Sequence, residues 1–473
     1  MVVCITFGKL NHKYKYILYS AVSLLISDFA FGINYHNVFK GIGFENFIHD
    51  DDERKKFNQH YYIRQIFCYI GTYILSIILY KCEVKKNRSV RNSSIKSQKS
   101  SSSDRNSGSN NSNLGIQLIY EDYESFSYSN RFVLKLLFLI LLWVIEEKFT
   151  EKLNNILKHI DFWMFEFIFL SIFCKKYFKL EIYRHQILAM LLTIFPLTLK
   201  IVTIILSFDN IESDEMNSDN SEPQEEILYV TYPLLIPIGI IMYLSMKIMR
   251  AYIKTQIKWY MDIKYISINK LLMNYGIIGT IFYTLICTIT TFIECSKDDP
   301  EIIDYFCGTK DDKDNKYFAS FKLYFINFFH HPIIEMLAII FGALGFSFYK
   351  FFSLMIIKNL TPIHLVFSLP LFYIMRKIVL QISFFTYDDF QSASETYQIK
   401  YRLDLLGDFL CLFAYLIYLE IIKLNFCKLN YNLRDSIITR GQTELCSKEL
   451  IIDNDDESSV GRGDTKISLM SSS

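Results

Sequence analysis

Long apolar runs separated by short polar connections fill most of the chain. A helix needs about 20 predominantly apolar residues to cross about 30 Å of hydrocarbon at about 1.5 Å per residue. Ten segments meet or approach this requirement, and we therefore expect an all-α polytopic membrane protein with ten transmembrane helices. The predicted spans are 16–34, 61–81, 131–149, 160–178, 185–207, 227–250, 270–294, 333–357, 361–386 and 404–424.

The distribution of charge predicts the orientation of these spans. Lys and Arg gather in every second connection, as at 85–99, 175–184 and 250–264, whereas the opposite connections are acidic, as at 209–226. Cytoplasmic loops carry the excess of Lys and Arg in membrane proteins. We therefore expect both termini in the cytosol, with the protein in an endomembrane or the plasma membrane.

The amino-acid composition limits the kinds of binding partner that we expect. The 50 Lys and Arg residues balance 49 Asp and Glu residues, which leaves a net charge of +1 and no broad basic surface for nucleic acid. The 10 cysteines form no CxxC pair and no cluster with histidine at zinc-ligand spacing. We expect the lipid bilayer and a small-molecule substrate as partners, no nucleic acid, no cofactor and no metal, with a homodimer as a candidate assembly.

Two internal matches divide the chain into halves. Residues 182–188 resemble 400–406, and residues 157–161 resemble 357–361, each at the entry to a predicted span. Because five is an odd number, two five-helix repeats must have opposite topology, as in many transporters. Polar stretches rich in Ser and Asn, by contrast, cannot bury enough apolar surface to fold. The predicted organisation is a first repeat at 1–208, a second repeat at 227–426, and disordered cytosolic segments at 83–114 and 435–473.

Three stretches, 156–186, 259–279 and 360–370, resemble the drug/metabolite transporter superfamily of EamA-like ten-helix carriers, and in particular its solute-carrier branch that includes the nucleotide-sugar transporters. The resemblance implies a central cavity between two inverted repeats. It also implies exchange or proton-coupled movement of a small polar metabolite, with nucleotide-linked compounds among the candidates. Phosphate-binding members carry a Lys-Arg pair in the ninth helix, whereas here the pair is Arg376-Lys377 and lies about one helical turn later.

Ionisable residues inside the predicted spans are the candidate substrate-binding residues. Each costs about 2.5–3.5 kcal/mol at the centre of a membrane helix, so each needs a partner, water or a function. The candidates are Asp28, Glu166, Lys200, Glu335, Arg376 and Lys377. Four further ionisable residues lie nearer the helix ends, and we expect their side chains to reach the water interface; these are Lys135, Lys350, Asp408 and Glu420.

Each candidate has a functional and a structural interpretation. Arg376 and Lys377 lie at a depth that suits an anion-binding pair, but a salt bridge of Arg376 to Asp28 or Glu335 would only hold helices together. Glu166 shares a helix face with phenylalanines and either projects into a cavity or forms an interhelical pair. Lys200 follows a proline that could loosen its helix.

These patterns favour a secondary transporter that works by alternating access. No phosphate loop, HExxH motif or nucleophile elbow is present in the sequence, so we do not expect an enzyme. Two rival interpretations stay open. One is a non-transporting membrane scaffold, and the other is an intramembrane transferase acting on a lipid.

Overall fold

The computed structural model describes residues 5–7, 15–31, 61–101, 130–156, 163–179, 182–196, 198–199, 235–291, 294–295, 309–310, 316–317, 321–330, 332–385 and 395–424. These residues are mainly helical, with a few strands of two or three residues. The helices are α1 (Lys15–Phe31), α2 (Tyr61–Ser101), α3 (Asn130–Ile156), α4 (Trp163–Phe178), α5 (Arg184–Leu192), α6 (Leu235–Ile263), α7 (Ile268–Thr291), α8 (Phe321–His330), α9 (Pro332–Asn359), α10 (Pro362–Val366), α11 (Ser368–Phe385) and α12 (Glu395–Tyr418). The strands are β1 (Ile5–Phe7), β2 (Glu294–Cys295), β3 (Thr309–Lys310), β4 (Lys316–Tyr317) and β5 (Ile422–Leu424).

Four segments in the described part of the chain are long and apolar enough to cross a membrane. They are Ile63–Lys85, Ile268–Thr291, Met336–Asn359 and Pro362–Val379. The prediction of a helical, multi-pass membrane protein is confirmed at this level. A helix also overlaps each of the other predicted segments, although these helices are shorter or carry more charge.

Several helix ends differ from the predicted spans. α2 continues to Ser101 through a polar stretch that composition predicts to be disordered, because extending an existing helix costs far less than starting one. α6 ends at Ile263, so part of the predicted cytosolic link is helical. The predicted span 361–386 is divided at Phe367 into α10 and α11, and α8 was not predicted. Residues 102–114, 200–207 and 425–473 lie outside the described residues.

The closest packing joins α1 to α9. The Ser20 and Ser353 hydroxyl oxygens lie 3.5 Å apart, and a Cβ built on Gly345 would lie 2.6 Å from the Ser27 backbone nitrogen. Residue numbers therefore rise along α1 as they fall along α9, so the two helices are antiparallel. Small residues on both helices permit this approach of backbone to backbone, as is common between membrane helices.

α2 packs against α7 in the same manner. A Cβ on Gly276 would lie 2.7 Å from the Tyr73 backbone nitrogen. The Asn269 amide donates to Glu83 over 2.6 Å near one end of the pair. The Tyr69 and Tyr283 rings are 5.1 Å apart further along, so these helices are also antiparallel.

The strand that precedes α1 pairs with the strand that follows α12. β1 and β5 form an antiparallel pair in which Thr6 lies opposite Lys423. The chain therefore returns, after α12, to the side from which α1 begins. A second small sheet has the order β2-β4-β3 and follows α7.

Candidate functional site

Six ionisable side chains from four helices meet in the interior. They belong to α3, α4, α6 and α9, and we call them the charge cluster. Three are carboxylates and three are cations. Its members are Glu146, Glu147, Glu166, Arg250, Lys254 and Lys350.

α6 provides the two cations of one half of the cluster. Arg250 donates from Nε to Glu146 Oε1 over 2.7 Å. Lys254, one turn further along the same face, donates to Glu166 Oε1. Arg250 Nη1 also lies 3.9 Å from Glu166 Oε2, so this guanidinium stands between a carboxylate of α3 and a carboxylate of α4. Thr150 donates to Glu146 Oε1 over 2.7 Å and fixes that carboxylate from its own helix.

Glu147 organises the other half of the cluster. Its Oε1 accepts from Lys350 Nζ on α9, and its Oε2 accepts from the Tyr275 hydroxyl on α7. The Tyr275 hydroxyl lies 3.4 Å from that of Tyr69, which extends the polar contacts from α7 to α2. Charge-assisted hydrogen bonds of this kind are about twice as strong as those between neutral groups.

Aromatic rings surround the Lys350 ammonium. Its Nζ lies 5.1 Å from the ring centroids of Trp143, Tyr275 and Phe346, and 5.3 Å from that of Tyr349. A cation within about 6 Å of a ring centroid is attracted to the negative face of the ring. We call these four rings the aromatic cage.

Lys350 and its neighbour Tyr275 lie within candidate membrane spans. Lys350 belongs to the candidate span Met336–Asn359, nine residues or about 13.5 Å from its end, and Tyr275 belongs to the span Ile268–Thr291. Glu146 and Glu166 are 0% exposed. Burying such charges without partners would cost several kcal/mol per ion, and the pairing offsets this cost.

The predicted site residues do not form a single site. Arg376 on α11 meets Asp28 on α1, with Nε 3.1 Å from Oδ2. The neighbouring Lys377 donates instead to Asp408 Oδ2 on α12 over 2.7 Å. Arg376 and Lys377 therefore face different partners, and Glu166 belongs to the charge cluster.

Two predicted site residues lie outside the described side chains. The backbone of Glu335 is part of α9, but its side chain is not described, and Lys200 falls outside the described residues. The predicted alternative of a salt bridge between Arg376 and Asp28 is thus present in the structure.

The expectation that Lys350 and Asp408 reach the water interface was wrong. Lys350 is 4% exposed and Asp408 is 0% exposed, because each has a partner of opposite charge inside the protein. Lys135, by contrast, is exposed, and Glu420 lies 3.4 Å from His185.

Sequence reasoning missed most of the charge cluster. Arg250 and Lys254 were assigned to a cytosolic link, although their spacing of four residues places them on one helix face. Glu146 and Glu147 interrupt an apolar segment, which was the available signal of a buried acidic pair.

Across the part of the chain that the structure describes, no group of three or more His, Cys, Asp or Glu side chains is arranged to hold a metal. No protein-family model matches the chain, and no curated protein matches it either.

Proposed function

We propose that this chain is a secondary transporter of a small polar metabolite, and that it belongs to the drug/metabolite transporter superfamily. The observation that carries the proposal is the charge cluster. It joins α3 and α4, from the first proposed repeat, to α6 and α9, from the second. Ionisable residues at membrane depth mark substrate or ion pathways in many transporters.

The proposal of two inverted repeats, 1–208 and 227–426, is supported by the pattern of helix contacts. α1 packs on α9, and the equivalent helices α6 and α3 also pack together. The contact of α2 with α9 is matched by that of α7 with α3, and the contact of α1 with α11 by that of α6 with α4. α2 packs on α7, and α5 on α12, which are equivalent helices of the two halves. These matched pairs support a two-fold relation between five-helix units.

Partial exposure of charged groups supports an aqueous path. Arg250 has 19% and Glu147 has 20% of the side-chain surface exposed. At membrane depth such surface faces either lipid, at a cost of about 2.5–3.5 kcal/mol, or a water-filled space. We infer that it faces water between the two halves.

Alternating access then requires that contacts between the halves break and re-form. Arg250 is placed for this, because it bonds Glu146 and has Glu166 nearby. A small movement of α6 would exchange one carboxylate for the other without stranding the guanidinium. The Asp28–Arg376 pair joins α1 of the first half to α11 of the second and is a further contact that would have to open.

Transport of this kind needs no cofactor, and no enzymatic step is proposed. Purified protein in liposomes, supplied with labelled nucleotide sugars, nucleotides, vitamins and amines, should accumulate at least one class several-fold above empty liposomes. The measurement is repeated with and without a proton gradient, which separates exchange from proton coupling. Absence of uptake for every class would favour the scaffold, and product formed from added lipid would favour the transferase.

Variants of the cluster separate a transport role from a purely structural one. Glu166→Gln leaves Lys254 without its carboxylate and should abolish uptake as well as reduce stability. Adding Lys254→Met should restore stability but not uptake. The matched control is Asp262→Asn, which removes a carboxylate that pairs with Lys258 at an exposed position. Full uptake by the double variant would overturn the assignment of these residues to transport.

A further inference from the structure

Two buried carboxylate oxygens of the charge cluster lack a hydrogen bond. Among the cluster's buried side-chain atoms, the two without a hydrogen-bond partner are Glu146 Oε2 and Glu166 Oε2. Arg250 Nη1 is 3.9 Å from Glu166 Oε2, which is too far for a hydrogen bond. An unsatisfied buried acceptor is costly, so the cluster is suited to receive one more donor.

The aromatic cage provides a second, independent indication of a cation. Its rings come from α3, α7 and α9, and the Glu147 carboxylate lies beside them. Two of the four rings, Phe346 and Tyr349, belong to the helix of Lys350 itself. Trp143 and Tyr275 come from other helices, so the cage is formed by tertiary packing rather than by neighbours in sequence. Rings around an ammonium with a carboxylate at one side are also how proteins recognise free organic cations.

We propose that the aromatic cage and Glu147 bind the primary ammonium group of a small amine, and that Lys350 occupies this site as an internal substitute when no amine is bound. The inference rests on the proposed transport function and names its substrate class. A primary ammonium is indicated because the group now in the cage is one, and it donates to Glu147 while its charge faces the rings.

A displaced Lys350 has a second carboxylate available in the charge cluster. Glu146 precedes Glu147 in α3, and Glu146 Oε2 is one of the two acceptors without a hydrogen bond. When an amine takes the place of Lys350 on Glu147, Lys350 therefore moves toward an acceptor that has no partner at present. The cage keeps one ammonium throughout, and Glu146 gains a donor.

The test uses propylammonium, which reproduces the part of the Lys350 side chain that Lys350→Ala removes. The full-length protein is purified in detergent, and its melting temperature is measured against propylammonium concentration, with propanol and propionate as neutral and anionic controls. We expect Lys350→Ala to bind propylammonium at least tenfold more tightly than the wild type, with no response to either control compound. Adding Trp143→Leu should remove that gain, because the ring from α3 is lost. An equal response of wild type and Lys350→Ala would overturn the proposal.

A second measurement does not depend on the folding of Lys350→Ala. The chain has three tryptophans, so Trp163→Phe with Trp259→Phe leaves Trp143 as the single indole. Propylammonium should change the fluorescence of Trp143 saturably in this protein, and propanol should not. No saturable change at concentrations up to 100 mM would reject the site.

Uptake experiments separate this inference from the proposed function. Uptake of amines by liposomes containing the protein, inhibited by propylammonium, would support both. Uptake of only anionic or neutral metabolites would leave the transport function standing and reject the amine as substrate. Propylammonium binding without uptake of any compound would reject transport and retain the cage as an ammonium site.

Discussion

Replacing Gly276 by Ala tests how the α2–α7 contact is built. A Cβ at this position would lie 2.7 Å from the Tyr73 backbone nitrogen and 2.9 Å from the Tyr69 carbonyl oxygen. Ordinary van der Waals contacts begin near 3.4 Å, so the new methyl group would be about 0.7 Å too close, and backbone atoms cannot rotate away from it. The two helices must separate, which disturbs Tyr69 and Tyr275 next to the charge cluster.

The expected change in the free energy of unfolding is the sum of two opposing effects. Overpacking of a close contact costs about 1–3 kcal/mol, and Ala in place of Gly within a helix returns about 1 kcal/mol. Gly407→Ala is the matched control, because its Cβ would have no neighbour closer than the Pro196 carbonyl oxygen at 3.9 Å. We expect Gly407→Ala to be neutral or stabilising and Gly276→Ala to be less stable than that control by about 1–3 kcal/mol.

Reversible unfolding by SDS in mixed micelles measures this difference. Gly71→Ala should fall between the two variants, since its Cβ would lie 3.0 Å from the Ala343 side chain rather than from backbone. Equal stability of Gly276→Ala and Gly407→Ala would show that α2 and α7 are not in backbone contact, and the described packing would then be incorrect.

Two further predictions concern topology and the second ion pair. Asn92 lies in a predicted cytosolic segment and should carry no glycan, whereas a sequon engineered into 209–226 should be glycosylated; glycan on native Asn92, detected by a mobility shift with glycosidase, would reverse the orientation. Neutralising both Arg376 and Lys377 should abolish uptake if this pair binds substrate. If Arg376 is only a clamp, Arg376→Gln should lower stability and a second change, Asp28→Asn, should restore it, since these two side chains are paired at 3.1 Å; melting temperatures of the single and double variants decide between the two.

The positions of the helices were largely predictable, whereas the contacts of their charged residues were not. Apolar length identifies a segment such as 270–294 without reference to any other part of the chain, because the bilayer sets the requirement. The partner of a buried charge depends on which helices pack and at what rotation. Glu147 and Lys350 are 203 residues apart, and their pairing has no local pattern.

The assignment of Lys350 to the interface shows why depth alone is an insufficient guide. Its position nine residues before the end of α9 would allow the side chain to extend toward water. It remains inside because α3 offers Glu147 and Trp143 at the same level, and that is a property of the assembled bundle. Arg250 was misplaced for the related reason that α6 continues past its predicted end.

The packing of α1 on α9 has a consequence for biosynthesis. Ser20 and Ser353 are separated by 333 residues, so at roughly 5–20 residues per second the ribosome needs about 17–67 s to supply the partner of α1. During that interval the serines of α1 that will face α9 have no interhelical partner from that helix. We therefore expect newly made α1 to remain with the insertion machinery or an assisting protein until α9 emerges, and truncated chains ending before α9 should be degraded faster than the full-length protein.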